Sequence, residues 1–224
     1  MTALDLPPGP LTVFAIGAHP DDIEIGCGAT LLSLASRGHV DLRTLVATGT
    51  PERQEEARRA AEAFGASREP VFGALPDARL PEYWGAVKDL LHAFRDDNPR
   101  PDVVFVPRSE DAHQDHRLLG SLVPTVWRGP LVLHYEIPKW DGDLGRPNVY
   151  VPVSEADASR KVGLLDSLFP SQHGRDWWDD EFFLSIMRLR GAEAQHGSGA
   201  ADGTGRQSRY AEAFSAAKLI ITTE

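Results

Sequence analysis

Five consecutive residues, Ala18-His19-Pro20-Asp21-Asp22, put one imidazole and two carboxylates directly after the apolar run Leu11–Ile16. A second cluster, His113-Gln114-Asp115-His116, follows the apolar run Val103–Val106. Imidazole nitrogens and carboxylate oxygens are ordinary zinc ligands, and catalytic zinc sites commonly use three protein groups and leave a position for water. His19 and Asp22 are three residues apart, so a turn leaving the strand can aim both inward with Asp21 beside the ion. His113 and His116 share that spacing, and a turn there can direct one at the metal and the other at a substrate. Zn²⁺ lowers the pKa of a water bound to it to about 7, and a neighbouring carboxylate can take the proton released. A nearby imidazolium can stabilise a developing oxyanion and then protonate a leaving nitrogen. These are the parts of metal-assisted amide hydrolysis. Taken alone, two aspartates ahead of a helix also read as N-terminal capping. The matching position of both clusters, each after an apolar run, favours one joint site.

The elements that must position these clusters alternate along the chain. Leu11–Ile16, Val40–Ala47, Val103–Val106, Leu131–Tyr135 and Asn148–Val153 are short continuous apolar runs, as expected of strands buried on both faces. A helix is expected over Gly26–Arg37. Thr50-Pro51 offers an N-cap and a first-turn proline, with Ala57, Ala60, Ala61 and Phe64 on one face before Gly65. Tyr83, Trp84, Val87, Leu90, Leu91 and Phe94 repeat the pattern behind Pro81. Ser154 and Asp157 resemble a capping box ahead of Ala158, Val162, Leu165 and Phe169. The alternation predicts an α/β fold: a single-domain, Rossmann-like, doubly wound and mostly parallel sheet over residues 1–224, with ligands at the carboxyl ends of the strands. Pro138–Pro147 is expected to form a loop, and Gln195–Arg209, poor in anchoring side chains, a mobile surface segment.

Composition narrows the class. The 224 residues are 42% hydrophobic and 25% charged, as in ordinary globular proteins. A formal charge of −10 disfavours nonspecific binding to nucleic acid or anionic membrane. Met1–Pro10 has neither the basic nor the apolar region of a secretory signal, and no apolar stretch approaches the roughly 20 residues that span a bilayer. A cytoplasmic protein is expected. The single Cys27 excludes an intrachain disulfide and fits a reducing compartment. Among Gly and apolar neighbours it reads as packing rather than as a soft ligand.

At the two His/Asp motifs the chain resembles the PIG-L/LmbE-like family of zinc-dependent N-deacetylases. Leu75-Pro76-Asp77 with Leu80, Tyr135-Glu136-Ile137-Pro138, Ser171-Gln172, Arg190-Gly191 and Tyr210-Ala211-Glu212-Ala213-Phe214 extend the likeness along most of the chain. Members act on N-acetylglucosaminyl phosphatidylinositol, on acetylated precursors of mycothiol and bacillithiol, and on amino-sugar groups of antibiotics. The resemblance implies an LmbE-like fold. It implies His19, Asp22 and His116 as zinc ligands and Asp21 as the general base that activates the water. His113 matches the residue that stabilises the tetrahedral intermediate and protonates the amine, and Asp115 a carboxylate that orients a histidine. Arg53 and Asp77 fall where relatives contact substrate hydroxyls.

Two departures stand out: Gln114 replaces a proline frequent between the histidines, and the stretch from Arg190-Gly191 to Tyr210 is longer than usual. With no apolar groove or anchor in view, a small soluble substrate is expected: an N-acetylated (or otherwise N-acylated) amino sugar, glycoside or related conjugate. An amidase acting on a thiol conjugate is the alternative at the same site. The expected cofactor is Zn²⁺, with Fe²⁺ or another divalent metal compatible with the same ligands. The expected partner is that small molecule, without nucleic acid or membrane; a homo-oligomer is compatible with the sequence. Two rival readings differ in class. His113-Gln114-Asp115 has the spacing of a 2-His-1-carboxylate iron oxygenase, although such enzymes usually sit on all-β barrels. Gly26-Cys27-Gly28 is too short and misplaced for a nucleotide-binding fingerprint.

Overall fold

The computed structural model describes residues 4–194 and 208–220. Its strands are β1 (Leu11–Gly17), β2 (Val40–Thr48), β3 (Val71–Leu75), β4 (Val103–Pro107), β5 (Leu131–Tyr135), β6 (Val149–Val153) and β7 (Tyr210–Ser215). Its α-helices are α1 (Asp22–Ser36), α2 (Pro51–Ala63), α3 (Trp84–Asp96), α4 (Gln114–Val126), α5 (Glu155–Leu168) and α6 (Asp180–Ala194). One seven-stranded sheet runs in the order β3-β2-β1-β4-β5-β7-β6. The five strands from β3 to β5 are parallel, and β7 is antiparallel to both of its neighbours.

Side chains alternate across each strand, and both faces of this sheet are covered. Val13 and Ala15 face a core shared with α1, α2, α5 and α6, including Phe64, Leu165 and Met187. Phe14 and Ile16 face the opposite core with Leu91, Leu119 and Val123 of α3 and α4. This double burial is why the strands read as unbroken apolar runs. From β1 the chain moves outward to β2 and β3, then returns to β4 on the other side of β1. The carboxyl ends of β1 and β4 therefore flank the point where strand order reverses, the crevice in which open α/β sheets bind ligands.

The expected doubly wound α/β architecture is present, with corrections. Among the described residues seven strands form where the sequence predicts five, the additions being β3 and β7. Helix α1 begins at Asp22, four residues earlier than Gly26; Asp22 and Glu24 look like loop residues in the sequence, but both are buried in its first turn. Gly26 is a packing residue: a Cβ there would meet the Tyr135 ring at 2.1 Å. Thr50 caps α2 as expected, accepting the Arg53 N–H. Ser154 likewise accepts the Asp157 N–H at α5. Residues 138–147 form the expected loop. The expected mobile segment at 195–209 lies outside the described residues except for its last two positions. Among the described residues, no helix is long and apolar enough to cross a membrane.

Candidate metal centre

β1 ends at Gly17, and the next four residues turn sharply into α1. Asp21 holds the N-cap position with φ 106°, a left-handed conformation that costs a non-glycine residue of order 1–3 kcal/mol and marks sites where function dictates the backbone. Asp22 folds back on the turn: its Oδ2 accepts the N–H groups of Ala18 at 2.9 Å and His19 at 2.8 Å. On the β4 side, His113 caps α4, its Nδ1 accepting the Asp115 N–H at 3.3 Å. With Nδ1 acting as an acceptor, the neutral ring carries its proton on Nε2.

The two turns meet at three atoms. His19 Nδ1 lies 3.1 Å from His116 Nε2 and 3.4 Å from Asp22 Oδ2, and His116 Nε2 lies 3.3 Å from Asp22 Oδ2. Two nitrogens and one oxygen at the switch point could hold one divalent cation, and this donor set suits zinc, iron and related ions. His113 brings a ring nitrogen within 4.8 Å of the other two histidines. Behind His19, its Nε2 faces Asp115 Oδ2 at 3.3 Å and Asp77 Oδ1 at 3.0 Å. Behind His116, Nδ1 faces Asp111 Oδ1 at 3.2 Å, and no described residue hydrogen-bonds that nitrogen in good geometry.

The charges fit a cation. Burial alone would lower both imidazole pKa values, yet Asp22, aided by Asp115 and Asp77 for His19 and by Asp111 for His116, raises them. His116 reaches about 9. Asp22 stays well below the usual carboxylate range despite its burial, held there by His116 and His19. Without an ion, the site thus gathers protons where a cation's charge would sit. Zn²⁺ uptake by the metal-free protein is therefore expected to release protons and to weaken as the pH falls from about 8 to about 6. Calorimetry in buffers of different ionisation enthalpy measures both; pH-independent uptake would contradict the raised imidazoles.

Asp21 behaves differently from its neighbour. Burial pushes its carboxyl up to about 7, with Arg53 and His19 pulling it down and Asp22 pushing it up. A buried carboxyl titrating near neutrality suits a general base. Burial, followed by the charges of His116 and His19, lowers the pKa of His113 and keeps it neutral.

The residues singled out in the sequence assemble, although two have unexpected partners. Arg53 bonds the Pro20 carbonyl and, at 2.8 Å, Asp21 Oδ2. Asp77 rests on His19 with its side chain 62% exposed. Asp115 is fully buried, spending Oδ1 on the Leu80 N–H at 3.0 Å and Oδ2 on His19. Asp115 therefore faces His19, where it forms a second group with Asp77 that could hold an ion, and the α/β fold differs from the all-β barrel on which a 2-His-1-carboxylate oxygenase usually sits. Cys27 points its thiol at the Ile23 carbonyl within α1. Sequence reasoning missed Asp111, two residues ahead of His113, and Lys139, whose Nζ lies 2.9 Å from Asp111 Oδ1. Asp111 extended the second cluster and could have been included; Lys139 lay in a loop that offered no signal.

Residues 14–127, about half of the chain, match the PIG-L family model, GlcNAc-PI de-N-acetylase. The chain is 30% identical to the uncharacterized deacetylase YaiS of Escherichia coli over 165 residues, 68% of this chain and 88% of that protein. It is 26% identical to the diacetylchitobiose deacetylase of Thermococcus kodakarensis over 218 residues, covering 82% of this chain and 79% of that one. In fold it resembles a conserved protein of Thermus thermophilus, with a TM-score of 0.69 and 22% identity over 95% of this chain and 97% of that one. The chain belongs to the PIG-L family of de-N-acetylases.

Proposed function

We propose that the protein is a metal-dependent hydrolase that removes an N-acetyl group from a small amino sugar or glycoside. The observation that carries this reading is the meeting of His19 Nδ1, Asp22 Oδ2 and His116 Nε2 within 3.4 Å, beside a carboxyl that titrates near 7. His19, Asp22 and His116 would hold the ion. When bound, a divalent cation supplies Lewis acidity, polarising an acyl oxygen and favouring a water nucleophile at neutral pH. Asp21 accepts the proton of the attacking water at its carboxylate, which Arg53 keeps in place. The His113 Nε2–H donates a hydrogen bond to the oxygen that gains charge as the carbonyl carbon becomes tetrahedral. Asp21 then passes that proton to the nitrogen as the C–N bond breaks, giving a free amine and acetate. Asp115 holds the His19 ring.

The sugar assignment draws support from the name of the Thermococcus relative and from an aromatic rim. Trp140, 69% exposed, stands 6.0 Å from Trp177 between ring centroids. Arg175 lies 5.9 Å over the Trp177 ring, and its charge reaches Asp21. Indole faces suit the apolar face of a pyranose. Asp77 offers its second oxygen to a substrate hydroxyl, and Arg53 the donors not spent on Asp21 and Pro20. Trp140→Ala is expected to raise KM for a sugar substrate about three- to tenfold at unchanged kcat; steady-state kinetics read this directly.

The reading as a whole is tested by incubating the metal-loaded protein with N-acetylglucosamine, N,N'-diacetylchitobiose and an N-acyl thiol conjugate. Equal yields of amine and acetate, abolished by a chelator and restored by Zn²⁺ or Fe²⁺, are expected from a sugar. Turnover of the thiol conjugate alone would transfer the function to the amidase alternative.

A further inference from the structure

We propose that Asp111 and Lys139 form a positioning pair that holds the His116 ring with Nε2 toward His19 and Asp22. The inference rests on the reading of His116 as a metal ligand and adds two residues with no assigned role.

A histidine that binds a metal through Nε2 must carry its proton on Nδ1, and an acceptor behind the ring fixes both tautomer and orientation. Asp111 Oδ1 lies 3.2 Å from His116 Nδ1, a charge contact out of good hydrogen-bond alignment in the metal-free protein, and in the metal-bound ring it is the carboxylate placed to accept the Nδ1–H. Asp111 is 1% exposed and cannot rely on water to fix its rotamer. Two donors do so instead, both on the same oxygen: the His113 N–H at 2.8 Å and Lys139 Nζ at 2.9 Å. Lys139 is itself held by Asp143 at 3.2 Å and by the Ile137 carbonyl at 3.5 Å. Asp143 in turn accepts the Ala112 N–H at 2.7 Å. The ammonium also offsets the carboxylate charge. The His113 N–H ties Asp111 to the residue that caps α4, so both histidines of the second cluster are referenced to one carboxylate oxygen.

This network also explains why the loop after β5 lies close to the centre. Lys139 is the residue before Trp140, so the ion pair that sets His116 also anchors the aromatic rim. His19 has a comparable arrangement, with Asp115 and Asp77 behind its Nε2. Among the described residues, only the His116 side uses a cation from a distant loop.

The test measures Zn²⁺ affinity by chelator competition and the visible spectrum of the Co²⁺-loaded protein, without substrate. Asp111→Ala is expected to weaken Zn²⁺ binding by about 10- to 100-fold and to alter the Co²⁺ spectrum. Lys139→Met should weaken it less, in the same direction, and Lys139→Arg should recover most of the loss, which general destabilisation would not predict. In the Zn²⁺-loaded parent, the His116 Nδ1–H should give a slowly exchanging, downfield proton resonance that Asp111→Ala removes. If Asp111→Ala does not fold, Asp111→Asn and Lys139→Met carry the test. Variants that bind Zn²⁺ within about twofold of the parent, with the parent's Co²⁺ spectrum, overturn the pair. A folded parent that takes up neither ion overturns the metal reading of His116 and the pair with it.

Discussion

An Asp21→Asn protein is expected to retain its divalent metal while kcat falls by about 10²- to 10⁴-fold, the usual contribution of a general base. At 1.36 kcal/mol per tenfold, the loss is about 3–5 kcal/mol of transition-state stabilisation. Asparagine is the informative replacement. It preserves size, tolerates the left-handed backbone that Asp21 adopts at φ 106°, and keeps an oxygen for Arg53. Alanine would confound lost chemistry with strain. Because Asp21 takes its proton only as the reaction proceeds, kcat and kcat/KM should fall together while KM stays nearly constant. His19→Ala should lose metal and activity together, since its Nδ1 is one of the three converging atoms. Metal analysis of the purified variants beside steady-state kinetics separates the two roles. Full activity in metal-loaded Asp21→Asn would remove Asp21 from the mechanism, and loss of its metal would make it a ligand instead.

The contrast between two adjacent aspartates was partly visible in the sequence, and its limits are physical. The two clusters could be brought together on paper because each is short, contiguous and attached to the end of an apolar run, whereas the choice of His116 over His113 as the ligand is what the family resemblance implies. The parallel order of β1 and β4 then does the rest. What failed to show was non-local or buried all round. Helix α1 is enclosed for most of its length, so it lacks the one-sided periodicity that marks a surface helix. Its first turn contains buried carboxylates that local reading assigns to a loop. β3 is a five-residue edge strand interrupted by Gly73, with Ala74 at φ 50°, too short and irregular for a clear apolar run. Helix α4 contains Pro124 and Gly120; a Cβ at Gly120 would come within 2.5 Å of the Ser109 backbone. Both residues weaken the helical signal. The Asp111–Lys139 contact joins two loops whose proximity depends on the β4–β5 pairing.

β7 was hidden for a related reason, and that reason leads to the second large effect. Its sequence, Tyr210-Ala211-Glu212-Ala213-Phe214-Ser215, places a carboxylate in the middle of a strand that is buried in the sheet. Glu212 is 4% exposed and Lys161, from α5, 1% exposed. Their contact is 2.6 Å long, and it is built into α1. Lys161 Nζ bonds the Ile25 carbonyl at 2.6 Å, while the Glu212 carboxylate accepts the N–H groups of Ala29 at 3.0 Å and Thr30 at 2.7 Å. Ile25 and Ala29 are the two ends of one i to i+4 helical rung, so the ion pair bridges that rung and joins β7 and α5 to the helix that begins at the metal turn. Removing one member leaves the other charged, buried and short of partners, which typically costs about 3–5 kcal/mol.

Lys161→Met and Glu212→Gln are each expected to lower Tm by about 10 °C or more, at roughly 2–4 °C per kcal/mol for a chain of this size. The double variant should be more stable than Lys161→Met alone, because it leaves no unpaired buried charge and the glutamine oxygen can still accept from α1. Hydrogen exchange supplies a local readout: the Ala29 and Thr30 amides should exchange faster in Glu212→Gln than in the parent. Single variants within about 1 kcal/mol of the parent would mean that water reaches the pair and that the surrounding core does not depend on it. The expected loss instead makes the Lys161–Glu212 pair the clamp on α1, and through Asp21 and Asp22 at its start, a distant support of the candidate centre.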